Sequence, residues 1–213
     1  MTTPNLGGVR DALAAHLRAY GRERLELEFR FGHRIAGKFV PGVDHERWTG
    51  LKDHLDRATP RHFDMVATET RELISNDGSG GKYVIPLGGG DGAAPSPFWM
   101  HKKRLSDTDI ETDGPWCCRA SMSLEVVDPA DQHKPAPTGH VFERHKQRWS
   151  YRYRCWSLDL TRVVSNLPHQ LDNDGVSYEL EIELRDTSEL FVRPMDLVLE
   201  WGWDLVTDMC RLL

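Results

Sequence analysis

Polar and apolar residues alternate along most of this chain, and the alternation is cleanest in Tyr178-Glu179-Leu180-Glu181-Ile182-Glu183-Leu184. Successive side chains of a strand point to opposite faces, so Glu179, Glu181 and Glu183 share one face while Leu180, Ile182 and Leu184 take the other. A second copy lies near the other end of the chain, where Leu25, Leu27, Phe29 and Phe31 alternate with Glu26, Glu28 and Arg30. The same period runs through 116–127, with Arg119, Ser121, Ser123 and Glu125 opposite Cys118, Ala120, Met122, Leu124 and Val126. In 142–154 the polar parity is cationic: Arg144, Lys146, Arg148, Ser150, Arg152 and Arg154 oppose Trp149, Tyr151 and Tyr153. Residues 156–164 place Ser157, Asp159 and Thr161 together, and 98–106 reads as a strand carrying Lys102, Lys103 and Arg104. Residues 61–74 are rich in β-branched side chains, and Asn76-Asp77-Gly78 signals a hairpin returning through 83–86.

Three segments follow the helical period instead. Val9, Leu13, His16, Leu17 and Tyr20 predict a helix over 5–20 closed by Gly21, which plugs or props the sheet. Asp44 is an N-cap for a helix with Trp48, Leu51 and Leu55. The last, 194–213, carries Leu197, Trp201, Leu205 and Met209 as its expected buried stripe. The Gly- and Pro-containing segments 32–43, 87–97 and 128–139 read as connections, as does the loop through Asn173-Asp174-Gly175. No linker interrupts the pattern, so 1–213 is expected to be a single domain.

Composition removes several function classes. Among 213 residues, 27 basic against 33 acidic side chains give a net charge of −6, so no global basic footprint exists to track a nucleic-acid backbone. A polyanion must meet a local cluster of cations. The four cysteines show no Cys-x-x-Cys spacing, which points to a reduced intracellular protein without structural zinc or disulfides. No apolar run is long enough for a signal peptide or a membrane span, so a soluble protein is expected. Gly81-Lys82 is followed by Tyr83 and lacks the upstream glycine of a phosphate loop.

About eight strands with short connections suffice to close an antiparallel barrel. Their ionic faces either coat a sandwich or line a lumen. A merely solvated face mixes acids and bases along each strand, whereas here the signs are segregated. Taken alone, each acidic strand fits a wet surface; together they gather glutamates into a hard oxygen-rich site that suits Mg2+ or Mn2+. Facing the cations of 144–154 across a lumen, such a site has the electrostatic plan of phosphoryl transfer.

Glu26-x-Glu28 followed by Phe31-Gly32, Arg119-x-Ser121-x-Ser123-x-Glu125, Arg144-x-Lys146-x-Arg148-x-Ser150-Tyr151, Asp159-Leu160-Thr161 and Glu179-x-Glu181-x-Glu183, in this order, carry a resemblance. The chain resembles the metal-dependent RNA 5′-triphosphatases of fungal, protist and large-DNA-virus mRNA capping, which belong to the triphosphate tunnel metalloenzymes. The resemblance spans about residues 25–184. It implies a closed eight-stranded antiparallel β-barrel flanked by short helices. It also implies release of the γ-phosphate from triphosphate-ended RNA to leave a diphosphate end, with hydrolysis of nucleoside triphosphates beside it.

By that resemblance Glu26, Glu28 and Glu183 hold Mn2+ or Mg2+, and Glu179 and Glu181 shape the tunnel floor. Lys146 and Arg148 grip the γ-phosphate, and Arg119, Arg144 and Lys103 or Arg104 add wall cations. Glu125 orients or deprotonates the attacking water, and Asp159 buttresses a cation. Two departures stand out: Ser157 occupies a position where family members often have a basic residue, and Arg71 is the nearest match to a further wall arginine. Taken singly, Arg144, Arg152 and Arg154 each read as surface cations, and Trp149, Tyr151 and Tyr153 as packing.

The resemblance further implies a 5′-triphosphate RNA end as partner, in the nucleus or a cytoplasmic viral factory, with no membrane and no DNA. No Lys-x-Asp-Gly motif occurs, so guanylyl transfer falls to a separate guanylyltransferase. Two rivals remain: an inorganic or small organic triphosphate hydrolase, suggested by Glu26-x-Glu28-x-Arg30, and a catalytically silent polyphosphate- or RNA-binding barrel. Crowding of carboxylates predicts that Glu181→Gln leaves the metal-free fold intact or stabilises it.

Overall fold

A computed structural model describes residues 6–21, 24–75, 81–87, 96–112, 115–127, 129–138, 141–166 and 175–213. The strands are β1 (Leu25–Ile35), β2 (Lys38–Pro41), β3 (Asp64–Ser75), β4 (Gly81–Pro86), β5 (Phe98–Glu111), β6 (Cys117–Val126), β7 (Val141–Tyr153), β8 (Trp156–Ser165) and β9 (Val176–Leu184). The helices are α1 (Gly7–Tyr20), α2 (His45–His62), α3 (Glu189–Val192) and α4 (Met195–Leu212). The sheet runs β2-β1-β6-β5-β4-β3-β7-β8-β9, and a further pairing of β1 with β9 closes it. Removing β2, which only flanks β1, leaves a closed ring of eight antiparallel strands.

Closure sets the faces. The ladder places Glu28 opposite Glu183 and Arg30 opposite Glu181, so both acidic strands lie side by side with their glutamates on the inner face. Their aliphatic faces turn outward, where Leu27, Phe29 and Ile182 are wholly buried beneath the helices. The hydrophobic core therefore lies between barrel and helical coat, while the lumen is ionic. Trp156 anchors that coat: its ring stacks on Phe29, its Nε1–H donates to the Val198 carbonyl at 3.0 Å, and α4 presses Gly202 against it. A Cβ at Gly202 would lie 2.6 Å from the indole, so the contact requires glycine. On α2, Trp48 packs edge-on against Trp149 and Tyr151 donates its hydroxyl to Asp56, which confirms the packing role of those aromatics.

Four sequence expectations shift. Residues 32–43 contain a strand, β2, joined to β1 through a turn in which Ala36 and Gly37 both have positive φ, the hairpin geometry whose twist matches its strands. The helix after Asp44 runs to His62, through the start of the segment read as strand; Asp44 does cap it, accepting from the Arg47 N–H at 2.9 Å. On α4 the buried stripe is Val198, Leu199, Gly202, Leu205, Val206 and Met209, with Leu197 and Trp201 half-buried beside it, because the helix rotates to meet Trp156. Finally, of the two roles expected of α1 it takes one, propping the sheet from outside with Val9, Leu13 and His16 buried in the coat and not plugging the barrel. The hairpin signal at 76–78 and the Asn173-Asp174 loop lie outside the described residues.

Candidate active site

The lumen encloses a cavity of about 460 Å3 lined by residues of seven barrel strands and by Arg185 just past β9. One side is acidic. Glu26 and Glu28 come from β1, Glu125 from β6 and Glu183 from β9, and Lys102 enters among the first three. The Lys102 ammonium of β5 lies 2.5 Å from Glu26, 3.7 Å from Glu28 and 3.9 Å from Glu125. Ser123 donates to Glu26 at 3.0 Å. This compensation is incomplete. Burial, reinforced by Glu26, pushes the Glu183 carboxyl up to about 8 despite Arg185 and Arg148 nearby. Burial and the neighbouring Glu181 also raise Glu28, and burial with Glu26 raises Glu125.

The opposite side is cationic and is built by β7 with β3 and β4. Arg148 makes a fan of contacts: Nε donates to Thr161 at 3.1 Å, Nη1 to Asp159 at 3.1 Å and Nη2 to Glu181 at 3.4 Å. Arg144 and Lys82 clasp one buried carboxylate, Glu72, at 2.7 and 3.0 Å, and Lys146 stands 3.8 Å from it. Burial alone would raise Glu72, but Lys146, Lys82 and Arg144 draw it down to about 2. Burial lowers the Lys146 ammonium against the pull of Glu179 and Glu72. Arg30 crosses from the acidic side to Glu181 at 3.2 Å, so Arg30 and Arg148 together hold Glu181 ionised against a burial penalty that would protonate it.

A closed eight-stranded barrel with opposed rows of glutamates and cations is a specific arrangement, and comparison with known proteins places it. The chain is 31% identical over 207 residues to the 5′ RNA triphosphatase A449R of Paramecium bursaria Chlorella virus 1, covering 97% of both chains. It belongs to the RNA 5′-triphosphatase family. The family described as mRNA capping enzyme, beta chain, matches residues 96–193. Among solved structures, the fold is similar to the RNA triphosphatase Pct1 of S. pombe, with a TM-score of 0.77 at 17% identity, covering 100% of this chain and 95% of that one. It is also similar to the Mimivirus capping enzyme triphosphatase, with a TM-score of 0.57 at 16% identity, covering 96% and 97%. The fold is that of the triphosphate tunnel.

Within this family member, most residues singled out in the sequence converge. Glu26, Glu28, Glu125, Glu179, Glu181, Glu183, Arg144, Lys146, Arg148 and Arg104 all line the cavity. Asp159 is fully buried behind that wall, where its Oδ2 receives Arg148 and, at 2.8 Å, Arg185.

Three placements are corrected. Lys103 is exposed and outside the lining, since even-numbered residues of β5 face inward up to Arg104 and Lys102 takes the inner place. A bulge between Arg104 and Ser106 then flips the parity, which sets Asp107 opposite Ser121 and Asp109 opposite Arg119. Arg119 is consequently engaged by Asp109 at 2.6 Å, packs over Phe39, and does not line the cavity. Arg71 faces away, paired with Glu143 at 2.6 Å on the exposed side of β3.

Four ionic residues of the lining escaped the sequence reading: Lys82, Lys102, Glu72 and Arg185. Lys102 follows a run without clean alternation, and Lys82 sits beside glycines, so no period marked them. Arg185 lies beyond the alternating strand, yet it donates to Ser157 Oγ at 3.1 Å and Asp159 at 2.8 Å, placing a cation beside Ser157 from the next strand. The ion pairs of Glu181 also reverse the stability expectation, because Glu181→Gln would leave Arg30 and Arg148 without their shared partner.

As placed, no group of three His, Cys, Asp or Glu side chains among the described residues is gathered to hold a metal ion. The Lys102 ammonium stands between the β1 glutamates instead. The donor set nevertheless fits a hard divalent ion: its ligands are carboxylate oxygens, and Glu28 and Glu183 are raised first by burial and then by neighbouring carboxylates, so both are buried acids beside like charge.

Proposed function

We infer that this protein is an mRNA-capping RNA 5′-triphosphatase that hydrolyses the β–γ anhydride of triphosphate-ended RNA. Water attacks the γ-phosphorus, the β–γ bridging oxygen departs with its electron pair, and diphosphate-ended RNA and orthophosphate result. The observation that carries the reading is the opposed charge of the two walls inside a closed tunnel, in a chain whose sequence belongs to this family. Such a lumen suits a reaction in which positioning and charge neutralisation supply most of the catalysis.

Arg148 and Lys146 bind the γ-phosphate, and Asp159, Thr161 and Glu181 hold the Arg148 guanidinium in place for it. Glu125, raised by burial and held near Lys102, orients the attacking water and accepts its proton. Glu26, Glu28 and Glu183 would hold Mn2+ or Mg2+, which supplies Lewis-acid neutralisation of phosphate charge. Lys102, which lies beside Glu26 and lines the same cavity, would add to the phosphate-binding cations. The substrate is the 5′ end of a nascent transcript, in the nucleus or a viral factory, and a guanylyltransferase receives the diphosphate end.

The test is orthophosphate release from triphosphate-ended RNA, inorganic triphosphate and ATP with Mg2+ and with Mn2+. RNA turnover that needs a divalent ion is expected. No release from RNA with either ion would sink the proposal.

A further inference from the structure

The cavity is ionic on every wall but one. Phe98, Met100, Lys102 and Arg104, alternate residues of β5, face it, as do Lys82 and Val84 of β4. The ladder sets Val84 opposite Phe98 and Lys82 opposite Met100, so the three apolar side chains form one contiguous surface. Phe98 is the first residue of β5, and toward that rim the wall passes from ammonium to hydrocarbon. Val84 is buried, while Phe98 and Met100 keep part of their surface open.

A phosphate chain alone gains nothing from such a surface, because desolvating a polyanion against hydrocarbon is unfavourable. The surface suits a ligand with a charged tail and a flat apolar-faced body joined to it. Resting on the reading of this site as an RNA triphosphatase, we propose that Phe98, Met100 and Val84 seat the 5′-terminal nucleoside of the substrate while its phosphates extend along Lys82 and Lys102. Every base has a π-face, so an aromatic ring and a thioether accept any of them without reading sequence. The same surface separates nucleotide-bearing triphosphates from inorganic triphosphate, which has nothing to place there.

Steady-state kinetics of wild type, Phe98→Ala, Phe98→Trp and Met100→Ser on triphosphate-ended RNA, ATP and inorganic triphosphate test it. Phe98→Ala is expected to lower kcat/KM at least about tenfold for RNA and ATP, mainly through KM, and to leave inorganic triphosphate within about twofold. Phe98→Trp should restore RNA turnover, and Met100→Ser should repeat the Phe98→Ala pattern more weakly. A parallel loss on all three substrates would show that Phe98 only packs the wall and would overturn the proposal, as would no loss on any. A wild type that cleaves inorganic triphosphate but not RNA would overturn the parent reading, an outcome distinct from both.

Discussion

The two walls of the tunnel are built alike and balanced differently. Each is a cluster of like charges entered by the opposite sign: Lys102 stands among Glu26, Glu28 and Glu125 and Arg185 beside Glu183, while Glu72 stands among Lys82, Arg144 and Lys146. Glu72 is drawn down to about 2 and stays ionised, so the cations keep a fixed anionic anchor. On the acidic wall burial, with Glu26 beside it, outweighs Arg185 and Arg148, and Glu183 rises to about 8. The contrast teaches that the cationic wall is assembled before substrate arrives, while the acidic wall is short of positive charge and has a place for a cation.

The largest expected effect tests that shortage directly. Glu183→Gln removes a charge the fold tolerates poorly, so phosphate release from RNA should fall more than about 100-fold while the metal-free protein at pH 8 melts no lower than wild type. A clear drop in that melting temperature would mean the acidic wall is already balanced.

Arg148→Ala strikes the opposite wall and should cost both function and fold. It leaves the wholly buried Asp159 with Arg185 alone and Glu181 with Arg30, and losing one member of a buried pair costs up to about 3–5 kcal/mol. Calorimetry of the variant checks this, and Glu181→Gln should fall in the same direction by less.

Glu72→Gln sharpens the comparison at an intermediate scale. Neutralising the anchor lets Lys82, Arg144 and Lys146 repel one another and lose their common partner, so KM for triphosphate-ended RNA should rise about tenfold with a smaller change in kcat. An unchanged KM would show that the cations position themselves.

A smaller effect follows from pH. A carboxyl raised in the folded state favours folding while protonated, so the contribution of Glu183 is complete below its ordinary 4.5 and is lost as pH climbs through about 8. Glu72 has the opposite sign: its contribution is present above 4.5 and is lost as pH falls through about 2. Metal-free protein should therefore melt higher at pH 5.5 than at pH 8.5, and divalent ion should raise the melting temperature more at pH 8.5. Thermal melts in chelator and in Mn2+ read both.

Least of all should happen at Lys103→Ala and Arg71→Ala, whose side chains face away from the tunnel; turnover within about twofold of wild type is expected.

These substitutions also mark the reach of sequence reading. Where alternation is unbroken, as in Leu25–Phe31 or Tyr178–Leu184, parity assigns each glutamate to the lumen correctly because a strand has only two faces. Around Lys102-Lys103-Arg104 the pattern is blurred and a bulge follows, so the sequence offers Lys103 or Arg104 as the wall cation, and only the fold shows that Arg104 and Lys102 face inward and Lys103 does not. Arg119 failed for the same reason, since the flipped parity beyond the bulge is what brings Asp107 and Asp109 to it.

By itself the sequence determined most of the strands, the division of each into an ionic and an apolar face and the segregation of charge, because these follow from a period of two and from the sign of each side chain. Which strand neighbours which was decided only by closure of the barrel. That pairing set Glu28 beside Glu183, and it brought Lys102 in among the glutamates and Glu72 among the cations. Electrostatic balance depends on distances between residues far apart in the chain, and only the folded structure fixes those distances.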